Sequence, residues 1–269
     1  WFVVALGLYA QRKVIRPARA KKAPFRVAGV HRENDSVTTV ALTVPEARDF
    51  QYHSGQFAYF RFIDGRPGHE EHPFTLSSAP NVDTEISFTA KNLGDFTAAL
   101  DTIESGDPVL VDGPYGAFRP DRVDARRPLV MIAGGIGITP FLSVLKSIAL
   151  ERDTRRAPIY LLWSVRTEDE LFADETLRGI FDTLSNSEFE LFVTATDGAR
   201  TDDGWLTSES GPRRTSGRIT IERLLERGLV GTGRDFFVCG PQPMMESIVS
   251  GLRKHGIPGA QIHFEAFAM

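Results

Sequence analysis

Cysteine is almost missing from this chain of 269 residues, and the single one, Cys239, excludes an internal disulfide. It equally excludes a four-cysteine iron–sulfur cluster or zinc site. An acceptor built on such a cluster would have to be a separate protein. Excess charge is lacking too: a net −4 offers nothing to nucleic acid. The uncharged start, Trp1 to Ala10, is about half the roughly 20 apolar residues that a membrane-spanning helix needs. Six basic residues follow within Arg12–Lys22, and the first acid is Glu33. A signal peptide has the opposite order, basic before apolar. The stretch fits the last turns of a transmembrane helix with a basic cytoplasmic flank; a signal remnant or a disordered tail are the other readings. Residues 1–22 are therefore expected to be a helix end and linker, placing the module at the cytoplasmic face of the cell membrane.

What is present is enough chain for two domains of about 100–150 residues each. Residues 25–33, 36–44, 55–63 and 84–92 read as short strands, bounded by Pro, Gly, Asp or Asn, and suggest a small antiparallel barrel. After Arg119 the pattern changes to apolar runs at 128–134, 158–165, 189–196 and 235–240 with helical segments between, one of them near 139–150. Alternating strand and helix implies a doubly wound parallel sheet with helices on both faces. The charged stretch 119–127 marks the boundary, which predicts domains over 23–122 and 123–269. Residues 208–218 are polar and Gly-rich and read as a loop.

Four segments carry chemistry. In His72-Pro73-Phe74-Thr75, an aromatic ring can cover a flat ligand while a hydroxyl reaches its edge; alone, the segment reads as a barrel strand with a buried Phe. In Lys91-Asn92-Leu93-Gly94-Asp95-Phe96-Thr97, Asp95 or Thr97 caps a helix whose free amides suit a phosphate, with Lys91 as counter-charge; the bland alternative is an ordinary capped helix. Gly134-Gly135-Ile136-Gly137-Ile138-Thr139-Pro140 follows a strand and opens a helix, where Gly135 and Gly137 leave room for a pyrophosphate. Pro140 stands where the Rossmann fingerprint has its third glycine and suits a helix's first turn. Finally, Cys239-Gly240-Pro241-Gln242-Pro243-Met244 closes a strand, at the end where open α/β sheets bind ligands.

Together with Gly113-Pro114-Tyr115-Gly116 and the ending His263-Phe264-Glu265-Ala266-Phe267, these segments resemble the ferredoxin–NADP reductase superfamily. Within it, the His–Phe form of the first motif is most similar to the dehydrogenase domain of NADPH oxidases and ferric reductases. The resemblance implies an FAD-binding barrel and an NAD(P)-binding α/β domain. It assigns flavin contacts to His72, Pro73, Phe74, Thr75, Lys91, Gly94, Asp95, Phe96 and Thr97. It assigns nucleotide contacts to Gly134, Gly135, Gly137, Ile138, Thr139, Pro140, Cys239, Gly240, Pro241 and Met244. Thr75, Cys239 and Glu265 would line the hydride path, with Phe267 as a movable cover on the flavin. Ser164 and Arg166, after the second strand of the nucleotide sheet, offer a hydroxyl and a cation to a 2′-phosphate and favour NADPH over NADH. The expected function is electron transfer from NADPH through FAD to a haem-bearing transmembrane domain upstream, with oxygen or ferric iron as terminal acceptor. The alternative is a soluble reductase serving a ferredoxin or oxygenase.

Overall fold

The computed structural model describes residues 23–63, 67–80, 83–150, 157–195 and 204–266. The first six strands are β1 (Phe25–Asn34), β2 (Val37–Thr43), β3 (Phe57–Phe62), β4 (His72–Thr75), β5 (Glu85–Lys91) and β6 (Pro108–Tyr115). They pair antiparallel in the order β4-β3-β6-β1-β2-β5. A bridge between Leu76 and Phe88 brings the two edge strands together and closes the barrel. Alternation explains the core. In β3, Ala58, Phe60 and Phe62 point inward and are buried, joining Phe25, Leu42, Phe88 and Val109. Phe57, Tyr59 and Arg61 stay half-buried on the outside.

The second sheet is formed by β7 (Leu129–Gly134), β8 (Ile159–Val165), β9 (Ser187–Val193), β10 (Arg213–Ser216), β11 (Asp235–Gly240) and β12 (Ile262–Ala266). It is parallel throughout, in the order β10-β9-β8-β7-β11-β12. β7 and β11 are wholly buried, because helices cover both faces. Helices α2 (Thr139–Leu150) and α3 (Asp174–Thr183) pack Phe141, Leu145 and Leu177 on one face. On the other, α4 (Ile221–Glu226) and α5 (Gln242–Lys254) supply Leu224, Met245 and Ile248. The chain runs outward from β7 to β10 and returns to β11, so the strand order reverses between β7 and β11. That switch point opens a crevice at the strands' carboxyl ends.

Two local expectations are corrected. Residues 208–218 contain β10, whose polar Arg-Arg-Thr-Ser sequence shows no strand pattern of its own and is ordered by pairing with Glu190–Val193 of β9. The short helix α1 (Asp95–Ala98) is capped by Gly94, in place of Asp95 or Thr97. Thr97 instead folds back, its Oγ1 accepting from the amides of Leu93 and Gly94 at 2.9 and 3.1 Å. Among the described residues no helix is long and apolar enough to cross a membrane; residues 1–22 lie outside them.

Candidate active site

The two glycine turns at the switch point interlock. After β7, Gly135–Ile138 form one 3-10 turn that runs straight into α2, with Gly135 at φ 53°. A Cβ on Gly137 would lie 2.5 Å from the carbonyl oxygen of Cys239, and one on Gly134 would lie 2.7 Å from Pro241 Cδ and 2.9 Å from Met244 Sδ. Gly240 approaches Gly134 just as closely, with its own Cβ 2.9 Å from the Gly134 amide nitrogen. Only glycine permits this main-chain contact. A Cβ on Gly135 would meet nothing within 4 Å, so this one position of the turn borders open space. Trp163 Nε1 donates to the Gly135 carbonyl at 2.9 Å and holds the turn from below. Thr139 and Pro140 are buried in the first turn of α2.

Cys239 and Glu265 are register partners on β11 and β12. The thiol is fully buried, and burial, with the Glu265 charge second, pushes it well above its ordinary range. Burial also raises the Glu265 carboxyl to about 7. Its Oε2 has no hydrogen-bond partner among the described residues. Its Oε1 reaches the other domain, 3.5 Å from where a Cβ on Gly116 would stand, a point that the Phe57 ring approaches to 3.2 Å. Phe57 pairs in turn with Thr75 across β3 and β4. Thr75 is buried and its Oγ1 likewise has no partner among the described residues. A line of contacts therefore runs from the first motif through Phe57 and Gly116 to Glu265 and Cys239.

The first motif splits by face. His72 and Phe74 share one side, where the His72 ring lies 3.8 Å from that of Phe96 and Phe74 stacks on Phe88 at 4.7 Å. Pro73 and Thr75 point the other way, beside Tyr59 and Phe57, their register partners. There Phe57, Tyr59 and Tyr115 form a half-buried triangle of rings with centroids 5.8–6.0 Å apart. Sequence reasoning missed these three residues. The available signal was that β3 carries aromatics on the face that a barrel normally gives to polar residues.

Lys91 is committed elsewhere: its Nζ lies 2.8 Å from Glu170 Oε1 in the nucleotide domain. Glu170 Oε2 accepts the Arg166 amide at 3.1 Å, and Glu168 pairs with Arg214. The exposed Arg166 guanidinium has no partner among the described residues, and Ser164, paired with Gly134, is the last residue but one of β8. Gly94 and Asp95 are exposed, while Phe96 and Thr97 are half-buried. Phe267 lies outside the described residues.

An unpartnered hydroxyl beside an open aromatic platform fits the edge and face of a flavin, and a main-chain cradle at a helix start fits a nucleotide diphosphate. Barrel, crevice and cradle together define a flavin- and nicotinamide-nucleotide-binding oxidoreductase. Residues 23–119 match the family of FAD-binding domains, and residues 131–250 that of oxidoreductase NAD-binding domains. The chain belongs to the ferredoxin–NADP reductase superfamily. It is 27% identical over 93% of its length to the toluate 1,2-dioxygenase electron transfer component of Pseudomonas putida, covering 69% of that relative. It is 29% identical over 90% of its length to the ferredoxin reductase component of a Mycolicibacterium smegmatis 3-ketosteroid-9-alpha-monooxygenase, covering 65% of it. Among solved structures, a Neisseria gonorrhoeae ferredoxin NADP+ reductase with bound FAD and NADP superposes with a TM-score of 0.72 at 24% identity, over 90% of this chain and 97% of that one. The chain thus spans roughly two thirds of the length of these two curated relatives. Relatives of this kind overturn the expected place at a membrane face: they are reductase components of oxygenase systems.

Proposed function

We propose that the chain is the FAD-dependent NAD(P)H reductase module of an oxygenase-type system, passing electrons to a partner protein's metal centre. The observation that carries this reading is the line of neighbouring residues from Thr75 through Phe57 and Gly116 to Glu265, which ends on both sides in a buried polar atom without a hydrogen-bond partner among the described residues. When bound, FAD supplies hydride acceptance and one-electron release. The protein supplies position. Phe57, Tyr59 and Tyr115, whose rings stand at 44–71° to one another, would flank the ring system, and Thr75 Oγ1 would bond its edge. Gly135, the open position of the turn, would admit the nucleotide diphosphate to the start of α2, where the helix dipole favours the negative charge. Gly134 and Gly137, expected as nucleotide contacts, instead let the two glycine turns close on each other. Buried Cys239 and half-buried Glu265 would limit water where the nicotinamide enters. Thr97 takes up the amides of Leu93 and Gly94, so those of Asp95, Phe96 and Thr97 are left for the FAD phosphates.

The electron transfer components among the relatives support a protein partner, and the haem-bearing transmembrane domain expected from the motif resemblance is set aside. NADPH is the favoured donor: Lys91 and Arg214 neutralise Glu170 and Glu168, so the Arg166 cation, which has no side-chain partner among the described residues, is what a 2′-phosphate meets. Anaerobic mixing of the FAD-loaded chain with NADPH and, separately, NADH tests both points. Flavin absorbance near about 450 nm should bleach, with the larger kcat/KM for NADPH. No bleaching with either nucleotide would overturn the reductase reading, and a preference for NADH would overturn the role given to Arg166.

A further inference from the structure

The two domains meet along a line of serines. Helix α2 is apolar and buried over most of its length, yet it carries Ser143 and Ser147 one turn apart, both buried. Serine is an unfavourable choice there, since its hydroxyl adds little apolar area and must find a partner. The usual solution is a bond to the carbonyl one turn back. Ser147 does this, donating to the Ser143 carbonyl at 3.0 Å. Ser143 does not. Its Oγ donates across the domain boundary to the carbonyl of Ser78 at 2.6 Å. Ser54 completes the line, with its Oγ 2.8 Å from Ser147 Oγ. Because the Ser147 proton is already committed, Ser54 is the donor of that bond. Ser78 is braced from its own side, where its Oγ accepts the Ser87 amide at 2.9 Å and meets the Tyr52 hydroxyl at 2.7 Å.

We infer that Ser143 is a positioning residue for hydride transfer, fixing the nucleotide-binding helix against the flavin-binding segment through the Ser78 carbonyl. The inference rests on the reductase reading. Ser143 lies one turn beyond the glycine turn, and Ser78 follows Thr75 by one short step of chain. The bond therefore joins the segments assigned to the two cofactors with almost no lever between them. Two further cross-domain bonds, from Asn34 Nδ2 to the Leu171 carbonyl at 3.1 Å and from Lys91 to Glu170, engage the segment after β8 and leave α2 untouched. A misplacement of about 1 Å between reacting groups is worth up to about 10²-fold in rate, so a small slide of α2 reads out directly in the hydride step.

The test is stopped-flow reduction of the FAD-loaded full chain by NADPH carrying hydrogen or deuterium at the transferred position. Ser143→Ala should lower the limiting reduction rate about tenfold or more, with an undiminished deuterium isotope effect and with FAD content and nucleotide Kd within about twofold of the parent. Ser143→Cys, which keeps a weaker donor in place, should recover part of the rate. Asn34→Ala, which removes a cross-domain bond remote from α2, should leave the rate within about twofold of the parent. Parental reduction by Ser143→Ala would overturn the inference, as would a loss matched by Asn34→Ala or explained by lost FAD. Should Ser143→Ala fail to fold, Ser143→Cys decides: a parental rate with a donor that weak would equally overturn it. Absence of reduction in the unmodified chain is the separate failure of the reductase reading, and takes this inference with it.

Discussion

Thr75 Oγ1 and Glu265 Oε2 are buried polar atoms without hydrogen-bond partners among the described residues, and each sets a penalty that a ligand can remove. An unsatisfied buried hydroxyl costs about 1–3 kcal/mol. Thr75→Val keeps the shape and deletes the hydroxyl, so the ligand-free chain should melt higher, by the equivalent of about 1 kcal/mol. Flavin reduction by NADPH should nevertheless slow about tenfold, the worth of one hydrogen bond. A variant that is both less stable and fully active would contradict the placement of Thr75. Glu265 makes a pH prediction. Its carboxyl is raised from 4.5 to about 7 by burial. Between those values the folded chain holds a proton that the unfolded chain has lost, so this group's contribution to stability falls as pH rises. The loss is complete above about pH 7 and amounts to about 3 kcal/mol. Glu265→Gln removes that slope. Its Tm should exceed the parent's at about pH 8 and converge on it near about pH 4, as thermal unfolding of the ligand-free chain would show.

At the scale of elements, the glycine turn divides into positions that differ in kind. Gly137→Ala forces a methyl into the Cys239 carbonyl, with no flexible side chain to yield. It should cost about 1–3 kcal/mol and weaken nucleotide binding by at least about tenfold. Gly135 is left-handed but open, so Gly135→Asn, a residue that tolerates this backbone, should fold with a cost under about 1 kcal/mol. Thermal melts and nucleotide titrations of the pair check the contrast; equal behaviour would mean that the turn is not interlocked. The turn and its helix were legible in the sequence, because an apolar run, glycines and a helical pattern in that order have few other uses. The strands β7, β8 and β11 were legible as well, their unbroken apolar runs reflecting burial on both faces. β10 was not, since a polar four-residue edge strand is defined by its neighbour. Nor were Phe57, Tyr59 and Tyr115, because period-2 reading finds a strand without saying which face meets solvent. The cap of α1 was missed for a related reason: Thr97 bonds backwards, a choice made by loop geometry.

For the molecule as a whole, the domains share a core. Phe118 follows the last barrel strand but packs among nucleotide-domain residues, 5.5 Å from the ring of Phe141 and 5.1 Å from that of Phe237, edge-on in both cases. Phe118→Ala should destabilise by about 3–5 kcal/mol. It should also split a single thermal transition into two, because the barrel and the parallel sheet each keep a core of their own. Calorimetry of the full chain checks this, and one sharp transition at reduced Tm would show that the coupling lies elsewhere. Contacts of this kind join residues far apart in the chain, and so no local pattern announced them. The sequence revealed two domains and their order; the residues that join them became visible only in three dimensions.

The interlocked glycines have a consequence for descent. A cradle walled by main chain has no side chains to exchange, so substitution there can close it but cannot retune it. Drift and adaptation are confined to the rim, to positions such as Arg166, Lys91 and the aromatic platform. A lineage built on such a cradle can change its electron donor and its client proteins while the floor of the crevice stays as it was.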